Sequence, residues 1–223
     1  MAKKKKQDGG YDPTPLMTRP KKIAIVALGP SCKSFVREMM TDGQFGKPFD
    51  EVWTVNRGFN AFPHDKLFVM DDLKWLEHKK PDYASWLRKH DRPIITSTRY
   101  DDYPMSLEYP FQEVLQTIDD DIFASNTIAY MVAYAITIGV KEATIYGADF
   151  IYPNGSQAER GGQAVAYLLG MMRHFGMIHR LPGDTTLLYA NTVKQDPQTG
   201  NIYREPYGYH RKAELEKEKN NGS

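Results

Sequence analysis

"KKIAIVALGPS", residues 21–31, decides how this chain folds. Ile23 to Leu28 form an unbroken apolar run, the mark of a strand covered on both faces in a parallel sheet. Gly29-Pro30-Ser31 breaks the run. "SCKSFVREMMT" then predicts a helix with Ser31 as its cap. The alternation recurs outward along the chain. "DEVWTVNRG" (50–58) reads as a second strand ending at Asn56, and "KLFVMDDL" (66–73) as a third ending at Asp71 and Asp72. A helix over "DYASWLRKH" (82–90) leads to a fourth strand in "RPIITST" (92–98).

"NTIAYMVAYAITIGV" (126–140) is apolar on nearly every face, which predicts a central, buried helix. The strand "ATIY" (143–146) follows it and runs into Gly147, Asp149, Phe150 and Tyr152. "QAERGGQAVAYLLGMMRHFG" (157–176) supplies another helix, weakened at Gly161-Gly162, and "MIHRLPGDTTLL" (177–188) a last strand and turn. Strand and helix alternate through short connections. The predicted fold class is therefore α/β: a single Rossmann-like, mostly parallel sheet with helices on both faces. Residues 98–122 are aromatic and acidic and interrupt the alternation. They predict a lid-like excursion with one short helix near Phe111–Ile118. A basic, proline-containing tail (1–20) and a polar, tyrosine-rich extension (191–223), partly disordered, flank the α/β domain at 21–190.

Lys and Arg number 29 against 28 Asp and Glu, so the net charge of +1 excludes a generic polyanion binder. Charge is concentrated in Lys3 to Lys6, which read either as a solvated tail or as a salt-sensitive tether to phosphates. One cysteine, Cys32, excludes an internal disulfide framework. No apolar run approaches the roughly 20 residues that span a bilayer. Together these predict a cytoplasmic protein without a membrane span.

In an open parallel sheet, ligands bind beyond the carboxyl ends of the strands, where the strand order reverses. That rule turns strand ends into site candidates: Gly29, Pro30 and Ser31; Asn56 and Arg57; Asp71 and Asp72; Gly147, Asp149 and Tyr152. Ser125, Asn126 and Thr127 join them at the start of the buried helix. Ser31 and Thr127 either cap their helices or present free amides to a phosphate. Asn56 either binds a ligand edge or shapes the turn before Gly58. Asp71 and Asp72, adjacent on a strand, point to opposite faces unless the strand has ended. Gly29-Pro30-Ser31 is neither a P-loop nor a dinucleotide fingerprint, because the downstream glycines and lysine are missing. The six histidines form no H-x-x-x-H pair, and no metal-ligand set is expected.

The succession "IAIVALGPS", "VWTVNRGF" and "SNTIAYMVAYAITIGVKEATIYGADFIYPNGS" resembles bacterial sialyltransferases that use a CMP-sugar donor, and the superfamily that also holds a hydroxymethylpterin pyrophosphokinase. The likeness covers roughly residues 22–157. Its G-x-G-P-S motif appears as Ala27-Leu28-Gly29-Pro30-Ser31, its nucleotide-contacting asparagine as Asn56, and its phosphate-side hydroxyl as Thr127. Its G-x-D-F-Y segment appears as Gly147, Asp149, Phe150 and Tyr152, with Ile151 inserted before the Asn154-Gly155 turn. The resemblance implies a glycosyltransferase that needs no cofactor and takes a nucleotide-sugar as donor. Ser31, Asn56 and Thr127 would hold the nucleotide, with Arg57, Asn126 and backbone amides beside them. Tyr152 would donate to the leaving phosphate.

The family's catalytic histidine has no counterpart in "QAERGGQAVAY" (157–167). That leaves Asp149, Asp71 and Asp72 as candidate bases, with Asp149 also a candidate scaffold. The acceptor implied is a hydroxyl, with a hydroxymethylated base in viral DNA as one class: Tyr100, Tyr103, Tyr109 or Phe111 would stack on the extruded base. The alternatives are a Mg²⁺-dependent pyrophosphokinase acting on a small alcohol and a non-catalytic nucleotide-binding module.

Overall fold

The computed structural model describes residues 16, 18–41, 47–151 and 155–188, with two short strands at 193–195 and 202–204. The expectations for Lys3–Lys6, for Tyr152 and the Asn154 turn, and for most of the extension after Tyr189 lie outside the described residues.

Seven strands form one sheet: β1 (Lys22–Val26), β2 (Glu51–Val55), β3 (Lys66–Val69), β4 (Ile94–Thr96), β5 (Ser106–Glu108), β6 (Glu142–Tyr146) and β7 (Ile178–Arg180). Their order is β5-β4-β3-β2-β1-β6-β7 and every pairing is parallel. The chain builds outward from β1 on one side through β5, then crosses back to lay β6 on the other edge of β1. The order therefore reverses between β1 and β6. Backbone pairing continues past the strand ends there, with Ala27 N–H donating to Tyr146 O and Gly29 N–H to Gly147 O, both at 2.8 Å.

Among the described residues, six helices cover the sheet: α1 (Cys32–Thr41), α2 (Leu73–Lys79), α3 (Pro81–Arg88), α4 (Phe111–Ile118), α5 (Thr127–Thr137) and α6 (Gly155–His174). The expectation for α5 holds for a physical reason. Eight of its eleven residues are buried, because it lies between the sheet and its neighbours α4 and α6. Its face of the sheet carries the largest cluster, with Trp53, Phe68 and Tyr134 ring against ring. Phe35, Phe49, Phe62 and Tyr146 fill the opposite face beneath α1, and Leu67, Leu73, Leu87 and Tyr103 that beneath α2 and α3. Gly161 and Gly162 do not break α6.

Two elements depart from the sequence pattern. The helix α2 has only seven residues, but Asp72 caps it, accepting from Lys74 N at 2.7 Å and Trp75 N at 3.2 Å. The segment 98–122 contributes to both the sheet and the core. Its β5 extends the sheet by pairing with β4, and Tyr103 and Tyr109 are buried at 1% and 2% exposure. Tyr109 donates to Tyr130 O at 2.9 Å and packs on Phe123. Two of the four aromatics expected to stack on an acceptor base are thus core residues. The polar extension carries an antiparallel pair, β8 (Val193–Gln195) with β9 (Ile202–Arg204). Among the described residues, no helix is long and apolar enough to cross a membrane.

Candidate functional site

A cleft of about 560 Å³ opens at the carboxyl ends of β1, β2, β3 and β6, where the strand order reverses. Its floor is Gly29, Pro30 and Gly147; its walls are Asn56, Asp71 and the Asn126-Thr127 start of α5. With Ser125, just ahead of α5, eight of the sequence candidates thus meet in one place. The volume lies in the range of small-ligand sites.

Two glycines let the floor exist. Gly147 has φ +68°, and a Cβ there would drive into the Ala27 carbonyl of the neighbouring strand. A Cβ on Gly29 would stand 2.5 Å from both Asp149 Oδ2 and Gly147 O. Side chains at either position would push apart the β1 and β6 ends and fill the cleft from below.

Asn56 sits at φ 45° directly after β2. Its Oδ1 is buried and has no hydrogen-bond partner. Native structures rarely leave such an acceptor unmet, because its desolvation goes uncompensated. Opposite stands the N-terminus of α5. Asn126 is the cap, its Oδ1 accepting from Ala129 N at 3.0 Å, while its amide nitrogen donates to Gly161 O at 3.3 Å on α6. Thr127 is therefore the first helical residue rather than the cap. Thr127 lines the cleft at the positive pole of the helix dipole.

Four candidates have other duties. Asp149 is 5% exposed, and both of its carboxyl oxygens are engaged. Oδ2 accepts from Ser31 N at 2.8 Å; Oδ1 accepts from Thr185 Oγ1 at 3.0 Å and Thr186 N at 3.2 Å. It staples the turn after β1 to the 182–187 segment and does not line the cleft. Ser31 is fully buried, its Oγ accepting from Gly147 N at 2.9 Å. Asp72 is the α2 cap. Arg57 lies over the Tyr83 ring at 5.6 Å, outside the cleft. Tyr152 lies outside the described residues.

Asp71 is different. It is exposed, lines the cleft, and forms no hydrogen bond among the described residues. Behind it the Tyr83 hydroxyl is buried without a partner, and burial, then Asp71, push its pKa up. Neither His174 nor His179 lines the cleft. Burial, then Asp149, push the Cys32 thiol up, which holds it in its unreactive protonated form. Among the described residues, no group of three or more His, Cys, Asp and Glu side chains could hold a metal ion.

Sequence reasoning missed Leu28, Ile151, Gln157 and Gly161 as cleft residues. Leu28 and Ile151 follow visible strands. Gln157 and Gly161 reach the cleft only because α6 packs against the start of α5, which no local pattern encodes. A larger cavity, about 880 Å³, lies beside Phe111 and Tyr134 with Arg19, Arg99 and Glu113 on its walls. It holds none of the strand-end candidates and lies away from the order reversal, so the smaller cleft is the better site.

Fold and cleft together define a doubly wound α/β protein with an open cleft at its switch point. No protein-family profile matches the sequence, and no curated protein sequence matches it. Among solved structures, the chain is similar to the sialyltransferase CstII from Campylobacter jejuni in complex with cytidine-5'-monophosphate. The identity is 18% and the TM-score 0.48, over 87% of this chain and 99% of that one. The same enzyme with CMP-3FNeuAc gives 17% identity and a TM-score of 0.47, over 83% and 91%. At this identity the likeness is one of fold alone.

Proposed function

We propose that the chain is a glycosyltransferase that moves a sugar from a nucleotide-sugar to a hydroxyl acceptor, with the donor's nucleotide in the switch-point cleft. The observation that carries this reading is Asn56. Its buried, unmatched Oδ1 calls for a ligand that donates a hydrogen bond, as a ribose hydroxyl or a base N–H does. Across the cleft, the α5 N-terminus and the Thr127 hydroxyl suit the phosphate of the same ligand. Donors fixed there would stabilise charge developing on a departing phosphate. The sugar-transfer part of the reading is supported by the motif succession from Gly29 to Gly155. Asp71 is the cleft carboxyl free to take the acceptor's proton.

The test is thermal stabilisation by CMP-, UDP- and GDP-sugars and by ATP, with and without Mg²⁺. A matching nucleotide-sugar at a hundred times its dissociation constant adds about 2.7 kcal/mol. A flat response to the whole panel overturns the reading, and stabilisation by ATP with Mg²⁺ alone favours pyrophosphoryl transfer.

Two variants sharpen it. Asn56→Gly keeps the positive φ and removes the orphaned acceptor. It is expected to unfold within about 1 kcal/mol of the parent while losing tenfold or more in nucleotide affinity by calorimetry. Asp71→Asn is expected to bind the donor as the parent does and to transfer about a hundredfold more slowly, the usual worth of a general base. Unchanged turnover would remove Asp71 from that role. A hydroxymethylated DNA base remains an acceptor class to assay by nucleoside mass, with only Tyr100 and Phe111 of the four proposed rings partly exposed.

A further inference from the structure

The left-handed backbone of Asn56 opens a five-residue turn, Asn56–Asn60, which is followed by Ala61 and Phe62. The amides of Ala61 and Phe62 both donate to Gly58 O, at 3.0 and 2.9 Å. The turn is gripped from outside at two points. Phe59 stacks on Trp86 of α3 with the rings 14° from parallel, and on Tyr83 at 9°. Beyond Phe62, His64 Nδ1 lies 3.0 Å from Phe62 O, and His64 Nε2 lies 3.1 Å from His90 Nε2. The two imidazoles stack with centroids 5.1 Å apart and are 7% and 8% exposed. His90 also packs on Trp86 at 4.5 Å. The pair thus closes a ring of contacts around the turn, through Phe62 on one side and through Trp86 and Phe59 on the other.

The protons on the pair follow from its partners. A carbonyl only accepts, so His64 Nδ1 carries hydrogen and neutral His64 offers a lone pair at Nε2. His90 must then donate from its own Nε2. One added proton can sit on His90 Nδ1 with that bond kept. Two imidazolium rings cannot face Nε2 to Nε2, since both atoms would carry hydrogen.

We propose that the His64–His90 pair positions Asn56, clamping the 56–62 turn so that the cleft loses affinity for a nucleotide when the pair is forced open. The proposal rests on the nucleotide reading of the cleft. Neither imidazole lines the cleft; both are positioning residues that act through the turn. The charged groups facing the pair are Asp91 and Arg92, after α3, and Asp65, ahead of β3. Arg92 opposes protonation of both rings, Asp91 favours it in both, and Asp65 favours it in His64. Burial is the largest influence on each. It lowers His64 and pushes His90 down to about 4. Both folded values lie below the unfolded one, so the clamp is intact above about pH 6.5 and is lost as pH falls toward 4.

The test compares the parent with His90→Gln, titrated with CMP by calorimetry at pH 7.5 and 4.5. Glutamine does not titrate, and its amide can donate to neutral His64 or accept from the protonated ring. Each protein is compared with its own affinity at pH 7.5, and a loss in the parent at least threefold greater than in His90→Gln at pH 4.5 supports the clamp. Protonation of the CMP phosphate is common to both proteins and cancels. Parallel losses overturn the proposal. Hydrogen exchange of the 56–62 amides, corrected for intrinsic rates, judges the clamp without a ligand or a variant. Faster opening in the parent at pH 4.5 supports it, and unchanged opening overturns it. Failure of CMP to bind at either pH removes cytidine as the donor's nucleotide, failure of the UDP and GDP compounds as well sinks the nucleotide reading, and the exchange result still decides the clamp.

Discussion

Asp149→Ala is expected to destabilise the fold by about 4 kcal/mol, enough to lower the unfolding midpoint of a chain this size by roughly 10 °C. The carboxyl accepts three hydrogen bonds in a site that is 5% exposed. Its removal strands the Ser31 amide, the Thr185 hydroxyl and the Thr186 amide, and each unmet buried donor costs about 1–3 kcal/mol. Asp149→Asn keeps one acceptor but turns an NH₂ toward a donor, and should cost about 2 kcal/mol. Thermal unfolding followed by circular dichroism measures both. The outcome separates two roles for this acid. A scaffold loses stability and, with it, ligand affinity. A base would lose turnover while melting with the parent. A variant that melts within 2 °C of the parent would return Asp149 to the catalytic candidates.

Gly147→Ala should be at least as damaging. At φ +68° any side chain costs about 1–2 kcal/mol in backbone strain alone. The added methyl also meets the Ala27 carbonyl, which belongs to the β1 end and cannot turn aside as a flexible side chain would. Forced separation of packed backbone adds about 1–3 kcal/mol or more, so the total is about 4 kcal/mol. Because the strain falls on the cleft floor, nucleotide affinity should drop even at temperatures where the protein is folded. Chemical denaturation and calorimetric titration read the two losses separately. An alanine variant of parental stability would show that the β1 and β6 ends are not held as closely as the 2.8 Å bond from Gly29 N to Gly147 O requires.

Much of the fold was legible because its signals are local. Ile23–Val26, Val52–Val55 and Ala143–Tyr146 are strands buried on both faces, and such strands read as apolar runs. The helix α5 is buried nearly all round and reads as apolar on every face. β5 did not announce itself. Three residues, Ser106–Glu108, carry no periodicity, and they become a strand only because β4 offers an open edge. The same holds for the excursion around it, where packing places Tyr103 and Tyr109 in the core.

The candidate site divides in the same way. The strand-end rule named Asn56, Asp71 and Gly147 from position alone, the start of the buried helix added Thr127, and the cleft contains them all. It could not say which acids were free. Asp71 and Asp72 are neighbours in sequence, yet one lines the cleft and the other caps α2. Asp149 ends a strand as a catalytic acid would, but residues 36 and 118 positions away occupy its oxygens.

The sequence by itself therefore determined the parallel α/β architecture and the end of the sheet where the cleft opens, because both follow from short-range hydrophobic patterning and strand polarity. Only the tertiary structure decided which side chains remain available for chemistry. Availability depends on hydrogen bonds between residues far apart in the chain, and those exist only once the strands are in register.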